Sequence, residues 1–474
     1  MKKKLLLCMA MAVMMTATAE NRSLNFTQWS EATAAATEPI LTLKGTVGEE
    51  VSLTFGVYET EDTYSVDFGD GNLQEKKVGI NNAGPVDPET GQATGATNFT
   101  GTVAGDGTIK VYGNNDVWYL ISSGAAPTAF DQAKLMNVVQ MTVSGVDVES
   151  VALPAYPKME QFNFNNSSLK TLDVTKVTTL TSLSVDNTTQ SKYAPQLESI
   201  DLSKNTELNY LKIIGNATNK GKLSAIDLSS NTKLASVFLQ DNALTTVTLP
   251  AAATLTYLNL QNNQFESLDL TGLTSITNLY LENNKLCTLA LGNVTKVCKL
   301  ENNELTLATL PAQPSGMSTK NKTKNFTYAP QAALKVAESL SELDLTSQLT
   351  VAKGELDPAD YATYLTGTTS FGFVTAGGTT LVEGTDYTVV EPGKFKFVKE
   401  QTEKVHAVML NAAFPKFTEA APFITTEFTV SASTGIRTVG ATAAAGKVYN
   451  LQGVEVQKPV KGLYIQNGKK VLVK

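Results

Sequence analysis

Histidine, arginine, cysteine and tryptophan are scarce in this chain. Its 474 residues include one histidine, three cysteines and two tryptophans. The single histidine, His406, leaves histidine-based metal sites and most catalytic triads without their usual residues. Only Arg22 and Arg437 are arginines, and the formal net charge is −7. The chain therefore lacks the basic surface and the bidentate donors of a nucleic-acid binder, and we expect no nucleic-acid partner.

Long hydrophobic runs are also missing, and the one apolar segment near the start predicts export. Lysines at residues 2–4 precede an apolar segment at 5–15 and a small-residue cleavage site at 17–19. This is the pattern of a signal peptide over residues 1–19, and its apolar part is too short to span a bilayer. No later run is long enough to predict a transmembrane helix. We expect a mature chain of net charge −10 that is secreted or displayed on the outer-membrane surface.

Motifs for catalysis and for cofactor binding are absent as well. The sequence has no H-E-x-x-H, G-x-S-x-G or P-loop motif. Cys287 and Cys298 would suit a disulfide in an oxidising compartment, but the repeat described next puts them on different sides of successive coils, which favours two separate thiols. Two cysteines without further ligands do not make a metal site. We expect no metal, no cofactor and no enzyme activity.

The middle of the chain repeats with a period of 21 residues. Three copies, starting at Leu234, Leu255 and Ile276, follow the pattern L-x-x-L-x-L-x-x-N-x-L-x-x-L-x-L. Three less regular copies precede them and one shortened copy follows, so seven coils fit between about residues 159 and 312. The repeated asparagines are Asn242, Asn263, Asn284 and Asn303.

This repeat predicts a solenoid of stacked coils. The L-x-L alternation is typical of a short strand with one buried face. A single coil cannot bury its apolar side alone, whereas stacked coils bury a continuous core between parallel strands about 4.8 Å apart. We expect the asparagines to form a ladder that satisfies backbone groups where the chain turns. The leucines expected in one buried column are Leu239, Leu260, Leu281 and Leu300.

The repeat region resembles leucine-rich repeats. The second extended segment, L-D-L at residues 268–270, makes it similar to the bacterial 21-residue class, in which both halves of each coil are extended. The resemblance implies a narrow parallel β solenoid with strands on two faces and little or no helix. Such solenoids present rows of side chains as recognition surfaces.

The segments on either side of the repeats are rich in alternating apolar runs. The V-D-F-G-D-G run at residues 66–71 resembles the signature of PKD-type immunoglobulin-like domains, and strands return after the repeats. Two carboxylates with glycines also suit Ca²⁺, but a Ca²⁺ site takes about six to eight oxygens, so a structural turn is favoured. The last residues, with Y-N-L-Q-G, G-L-Y and a lysine-flanked strand, resemble the C-terminal sorting domain of type IX secretion cargo in Bacteroidetes; the alternative is a small β-hairpin cap.

These patterns predict an all-β-dominated chain in which a leucine-rich repeat parallel β solenoid is flanked by two immunoglobulin-like β-sandwich domains and a small C-terminal β domain. The expected order is signal peptide 1–19, linker 20–38, PKD/Ig-like domain 39–145, solenoid 146–312, Ig-like sandwich 325–432, linker 433–446 and C-terminal sorting domain 447–474.

The predicted binding surface is the exposed strand face of the solenoid. Residues between the leucines of each strand point outward, so four aromatic residues would lie on neighbouring strands. Aromatic residues are common in binding hot spots, although single exposed aromatics are also ordinary on strands. The predicted face comprises Tyr210, Lys212, Phe238, Gln240, Tyr257, Asn259, Gln261, Tyr280 and Glu282.

Two classes of function remain at this point. The favoured one is a cell-surface binding or adhesion module for a protein or glycan ligand, host molecules included, with the secretion machinery as a second partner of the C-terminal domain. The alternative is a secreted glycosidase-like hydrolase that uses carboxylates on the solenoid. Its candidate acids form a column on the second strand of the repeat, interrupted by Thr248. They are Asp173, Asp201, Asp227 and Asp269.

Overall fold

The regular secondary structure of the computed structural model is almost entirely β-strand. The predicted signal peptide, nearly all of the linker 20–38 and the linker 433–446 lie outside the residues it describes. Within the described part, no helix is long and apolar enough to cross a membrane. The described residues are 38–57, 61–79, 97–114, 117–130, 135, 137–146, 148–187, 196–216, 218–251, 254–317, 325–431, 448–450, 456–457, 461–466 and 469–473.

The chain divides into two compact units. One comprises residues 1–332 with 353–365, and the other comprises 333–352 with 366–474.

The first eight strands of the first unit contribute to two facing sheets. They are β1 (Leu41–Gly45), β2 (Glu50–Val57), β3 (Asp62–Asp67), β4 (Leu73–Val78), β5 (Thr97–Thr102), β6 (Thr108–Tyr112), β7 (Val117–Ser123) and β8 (Ala125–Phe130). One sheet is antiparallel, in the order β4-β3-β6-β1-β8. The other contains β5, β2 and β7. Phe55 of β2 contacts Tyr64 of β3 across the two layers, with ring centroids 6.2 Å apart. The PKD-type identity of this region stays a prediction.

The solenoid follows without a break in the sheet. Its strands are β9 (Gln140–Val146), β10 (Ser150–Ala152), β11 (Gln161–Ser167), β12 (Thr171–Asp173), β13 (Ser182–Asp186), β14 (Tyr210–Ile214), β15 (Ala225–Asp227), β16 (Ser236–Phe238), β17 (Thr246–Thr248), β18 (Tyr257–Asn259), β19 (Ser267–Asp269), β20 (Ile276–Tyr280), β21 (Thr288–Ala290), β22 (Val294–Lys299) and β23 (Asn325–Thr327). The first strand of each coil joins a twelve-stranded sheet, here called the long sheet, in the order β5-β2-β7-β9-β11-β13-β14-β16-β18-β20-β22-β23. Every neighbouring pair from β7 to β23 is parallel, so the sheet crosses residues 145 and 146 continuously.

The interior of the solenoid contains the predicted leucine column. Leu239, Leu260, Leu281 and Leu300 are each 0% exposed, which confirms that column and the parallel solenoid it implied. Cys298 pairs in register with Leu279 and is buried like a core residue. Cys298 and the exposed Cys287 are not joined in a disulfide.

The repeated asparagines lie buried where each coil leaves the long sheet. Asn263 shows the pattern: its side-chain amide donates to the carbonyls of Leu239 and Leu260 at 3.0 and 2.9 Å, and its Oδ1 accepts from the Leu244 amide at 3.0 Å. The residue before it, Asn262, has φ of 59°, a left-handed conformation that asparagine and aspartate adopt more readily than most residues. One side chain therefore links two successive coils at each turn.

The second face of the solenoid carries only short strands. They pair as three separate parallel two-stranded sheets, β10-β12, β15-β17 and β19-β21. Two short 3-10 helices, Ser315–Met317 and Thr346–Gln348, are the helical elements of the described residues. The expectation of little or no helix is confirmed.

The second unit consists of small sheets. Its strands are β24 (Ser339–Leu340), β25 (Glu342–Asp344), β26 (Thr350–Val351), β27 (Gly367–Thr368), β28 (Ser370–Thr375), β29 (Tyr387–Glu391), β30 (Lys394–Phe397), β31 (Val405–Leu410), β32 (Phe423–Ile424), β33 (Thr429–Val430), β34 (Val448–Tyr449), β35 (Gly462–Gln466) and β36 (Lys469–Val473). Phe373 packs edge-on against Phe395 and Phe397 in its core. His406 lies half-buried on β31, as expected from the sequence.

The C-terminal strands of this unit, β34, β35 and β36, form an antiparallel three-stranded sheet at the three segments that the sequence singled out. Its sorting role, like the immunoglobulin-like identity of the preceding sheets, stays a prediction.

Candidate binding surface

The parallel register of the long sheet sorts the outward side chains of the solenoid into rows. Row one holds the residue just before the buried leucine or valine of each strand, row two the residue just after it, and row three the residue two positions further along. Tyr210, Ser236 and Tyr257 are direct neighbours in row one. Phe238 and Lys212 are direct neighbours in row two. Each row therefore contains the same repeat position of successive coils, aligned along the surface.

Four aromatic side chains on consecutive strands form a continuous chain of contacting rings, here called the aromatic strip: Tyr210, Phe238, Tyr257 and Tyr280. Successive ring centroids are 5.5, 4.6 and 5.4 Å apart, close to the spacing between strands. The interplanar angles are 41°, 30° and 34°, so Phe238 and Tyr257 are stacked and the two outer pairs of rings are tilted. They alternate between row one and row two, and all four are half-buried. The strip thus spans four coils without a gap.

An ion pair lies at each end of the aromatic strip. At one end the Lys212 ammonium binds the Asp186 carboxylate, and the two side chains are 24% and 19% exposed. At the other end the Lys299 ammonium lies 3.6 Å from the Glu282 carboxylate and 5.7 Å from the centre of the Tyr280 ring. A cation over a ring face is attracted to it, so Lys299 also covers one face of Tyr280.

Partial burial changes the pKa values of titratable groups in and beside the strip. Burial raises the pKa of Tyr210, and the nearby Asp186 carboxylate adds to the rise. Burial, with a smaller effect from Tyr280, also raises the pKa of Tyr257. These phenols therefore stay neutral and keep their protons as hydrogen-bond donors. Burial raises the pKa of Glu282 as well; the Glu301 carboxylate adds to the rise, and Lys299 opposes it.

Row three beside the strip is rich in acceptors. Buried oxygens of Gln240, Glu282 and Glu301 accept no hydrogen bond within the described residues. Burying an acceptor without a donor costs free energy, because its bonds to water are lost and not replaced. This edge of the strip is therefore short of donors.

The structure places all nine residues of the predicted face on the outer side of the solenoid, eight of them half-buried. Asn259 is the exception: it is buried, and its Oδ1 accepts a hydrogen bond from the backbone amide of Gln261 at 3.1 Å. Sequence reasoning missed Asp186, Lys299 and Glu301. They belong to irregular copies of the repeat, in which an insertion or a shortened coil changes the spacing between equivalent positions. Aligning those copies on their asparagines would have found Glu301, two residues before Asn303.

The aspartates of the second face have a different role. Each accepts a hydrogen bond from the backbone amide two residues further on, as Asp269 does from Thr271 at 3.0 Å and Asp227 from Ser229 at 2.9 Å. Bonds from that residue lower the pKa of every carboxyl in the column. In the ladders Asp227 pairs with Thr248, and Asp269 with Ala290, so neither has a carboxylate opposite it. All four carboxylates of the column therefore cap turns on this face.

The carboxylates of the N-terminal D-F-G-D-G run are also engaged in a turn. Asp67 accepts from the amides of Gly69 and Gly71 at 2.8 and 3.0 Å, and Asp70 accepts from the amide of Asn72 at 2.9 Å. Within the described ranges, no group of three or more ligand residues is placed to hold a metal ion.

Comparisons with known proteins give similarities of structure only. No protein-family model matches the chain, and no curated protein matches it either. It is similar to InlP of Listeria monocytogenes, with 14% identity over 64% of this chain and 91% of that one, at a TM-score of 0.29. It is similar to a functional domain of InlJ from the same species that includes a cysteine ladder, with 12% identity, 66% and 91% coverage and a TM-score of 0.23. It is also similar to the LRR protein LIC12759 of Leptospira interrogans, with 14% identity, 44% and 83% coverage and a TM-score of 0.19. Its own parallel strands, buried leucine column and asparagine at each turn make the middle of the chain a leucine-rich repeat solenoid.

Proposed function

We propose that this protein is an exported, cell-surface binding module that recognises a protein ligand through the outer face of its solenoid, with the aromatic strip as anchor. The observation that carries the proposal is the unbroken contact of four half-buried rings across four coils. The interior of the same solenoid buries Phe162 and Phe164 almost completely. The strip rings lie on the opposite side of the sheet, where a ligand that covered them would remove a large aromatic area from water.

The orientation of the rings favours a protein over a glycan. A sugar that stacks on an aromatic side chain requires a free ring face. In the strip Phe238 and Tyr257 stack on one another, and Lys299 covers a face of Tyr280, so these three rings have less free face to offer. The strip therefore offers ring edges and hydroxyl groups, which suit the mixed apolar and polar surface of a polypeptide.

The proposal is tested with the full chain and a defined probe, a phage-displayed library of random peptides. Enriched peptides are synthesised and titrated against the parent and against a Tyr257→Ala/Tyr280→Ala variant of unchanged melting temperature. The matched control is Thr246→Ala/Thr248→Ala, on the exposed strand β17 of the other face. We expect at least about tenfold weaker binding to the aromatic variant, since hot-spot truncations cost about 2 kcal/mol or more, and unchanged binding to the control.

Two results would overturn the proposal. One is equal binding of the selected peptides to parent and aromatic variant. The other is that the parent chain enriches no peptide over the bare support. In that case, binding on a glycan array that depends on the same two tyrosines would show that the strip binds a carbohydrate ligand.

A further inference from the structure

The charges around the aromatic strip do not balance. The two lysines of row two beside the strip already have carboxylate partners, Lys212 with Asp186 and Lys299 with Glu282. Glu301 follows Glu282 in row three on the next coil, beside the Tyr280 end of the strip. It is half-buried, and within the described residues its buried Oε2 accepts no hydrogen bond. Among the residues that the structure describes, the strip therefore ends at a carboxylate with no ion-pair partner.

The other orphan acceptors lie in the same row. Within the described part of the chain, oxygens of Gln240 and Glu282 are also buried without a donor, like that of Glu301. Row positions on neighbouring coils are about 4.8 Å apart, so row three offers a line of acceptors along one edge of the strip. Charge-assisted hydrogen bonds from an ammonium or guanidinium group are the strongest match to such a carboxylate. A divalent cation is a poorer match, because it takes about six or more oxygen ligands and the two glutamates supply too few.

Resting on the proposed function, we infer that the ligand is a protein segment that carries a lysine or arginine next to an apolar anchor residue. The anchor packs on the strip, and the cation binds at Glu301 and Glu282. Residues two apart in an extended peptide are about 6.6 Å from one another, which is also the distance between neighbouring rows on one strand. The basic residue of the ligand therefore lies within two positions of the anchor in sequence. Complementary charge across the interface fixes this register.

The test compares the selected peptides with their own variants. We expect the peptides enriched on the parent chain to contain lysine or arginine within two positions of an aromatic or aliphatic residue more often than the input library. Glu301→Gln is expected to weaken the binding of such a peptide at least tenfold. Replacing the basic residue of the peptide with norleucine is expected to do the same, and the two changes together are expected to cost no more than one alone. Glu266→Gln, at an exposed position after the turn of another coil, is the matched control and is expected to bind like the parent.

The possible results distinguish a failure of this inference from a failure of the proposed function on which it rests. Peptides that need Tyr257 and Tyr280, but show no basic preference and bind Glu301→Gln as tightly as the parent, would overturn the inference and leave the proposed function intact. Peptides that bind the Tyr257→Ala/Tyr280→Ala variant as tightly as the parent would overturn both. Additive effects of the protein and peptide changes would show that the cation binds elsewhere.

Discussion

Single asparagines connect the coils of this solenoid. The Asn263 side chain bonds to the carbonyls of Leu239 and Leu260 and to the Leu244 amide, all in a buried turn. Leucine or alanine at this position would leave these groups without partners. The sequence repeat predicts the buried asparagine. The residue before it is aspartate in one coil and asparagine in the others, and only the backbone conformation shows that this position is left-handed.

Replacing Asn263 by alanine is therefore expected to destabilise the solenoid by about 3 kcal/mol, because several buried backbone groups lose their hydrogen bonds. Urea unfolding of the full chain measures the change. Gln264→Ala, a half-buried neighbour in the same coil, is the control and is expected to cost less than about 0.5 kcal/mol. Equal effects of the two changes would contradict the role given to the ladder.

Leu260→Ala tests the buried column in the same way. The side chain is 0% exposed, so its truncation removes packing and leaves a cavity, at an expected cost of about 2–5 kcal/mol. Leu268→Ala, at a half-buried position on the second face, should cost clearly less. If both variants unfold at the same urea concentration, Leu260 does not lie in a tightly packed core.

At the scale of elements, the regular copies were predictable and the irregular ones were not. The L-x-L alternation predicts β16, β18 and β20 and places the four aromatics on one face. The extension of the long sheet through β7 and β9 was not predictable, because these strands replace the repeated leucines with residues such as Met141 and Val143 and lack the asparagine. The acidic column was expected to stack, yet β17 and β19 do not pair. Strand pairing on the second face depends on the backbone path through the turns, and the repeat pattern does not predict that path.

The aspartate caps of these short elements predict a loss of stability in acid. Hydrogen bonds from the following residues lower the pKa of each carboxyl below its ordinary value of 3.8. A group whose pKa is lower in the folded chain stabilises it above pH 3.8 and ceases to do so as the pH falls through the folded pKa. We therefore expect the melting temperature to fall below about pH 4.

A variant in which asparagine replaces the four caps should lose part of this acid dependence, because its amide oxygens accept the same bonds without titrating. The substitutions are Asp173→Asn, Asp201→Asn, Asp227→Asn and Asp269→Asn. Differential scanning calorimetry from pH 6 to 2.5 measures the difference. An acid profile identical to that of the parent would show that the caps do not contribute.

For the whole molecule, the sequence predicts how the protein reaches the cell surface as well as how it binds a ligand. If residues 447–474 direct the exported protein, deleting them should leave folded protein in the periplasm of its natural host, because the sorting segment is missing while the solenoid is intact. Cell fractionation with an antibody against the solenoid measures the distribution. Equal distributions of the full-length and truncated proteins between periplasm and cell surface would contradict a sorting role.

Crosslinking can show which face of the solenoid a bound ligand touches. Ser236 lies in row one between Tyr210 and Tyr257, and Thr246 is exposed on the second face. A photo-crosslinking p-benzoylphenylalanine is placed at one or the other position of the full chain and irradiated with a peptide selected from the library. If the aromatic strip binds the ligand, position 236 gives a crosslink that unlabelled peptide competes away, and position 246 gives none. A competed crosslink from position 246 without one from position 236 would place recognition on the second face and rule out the strip as the binding surface.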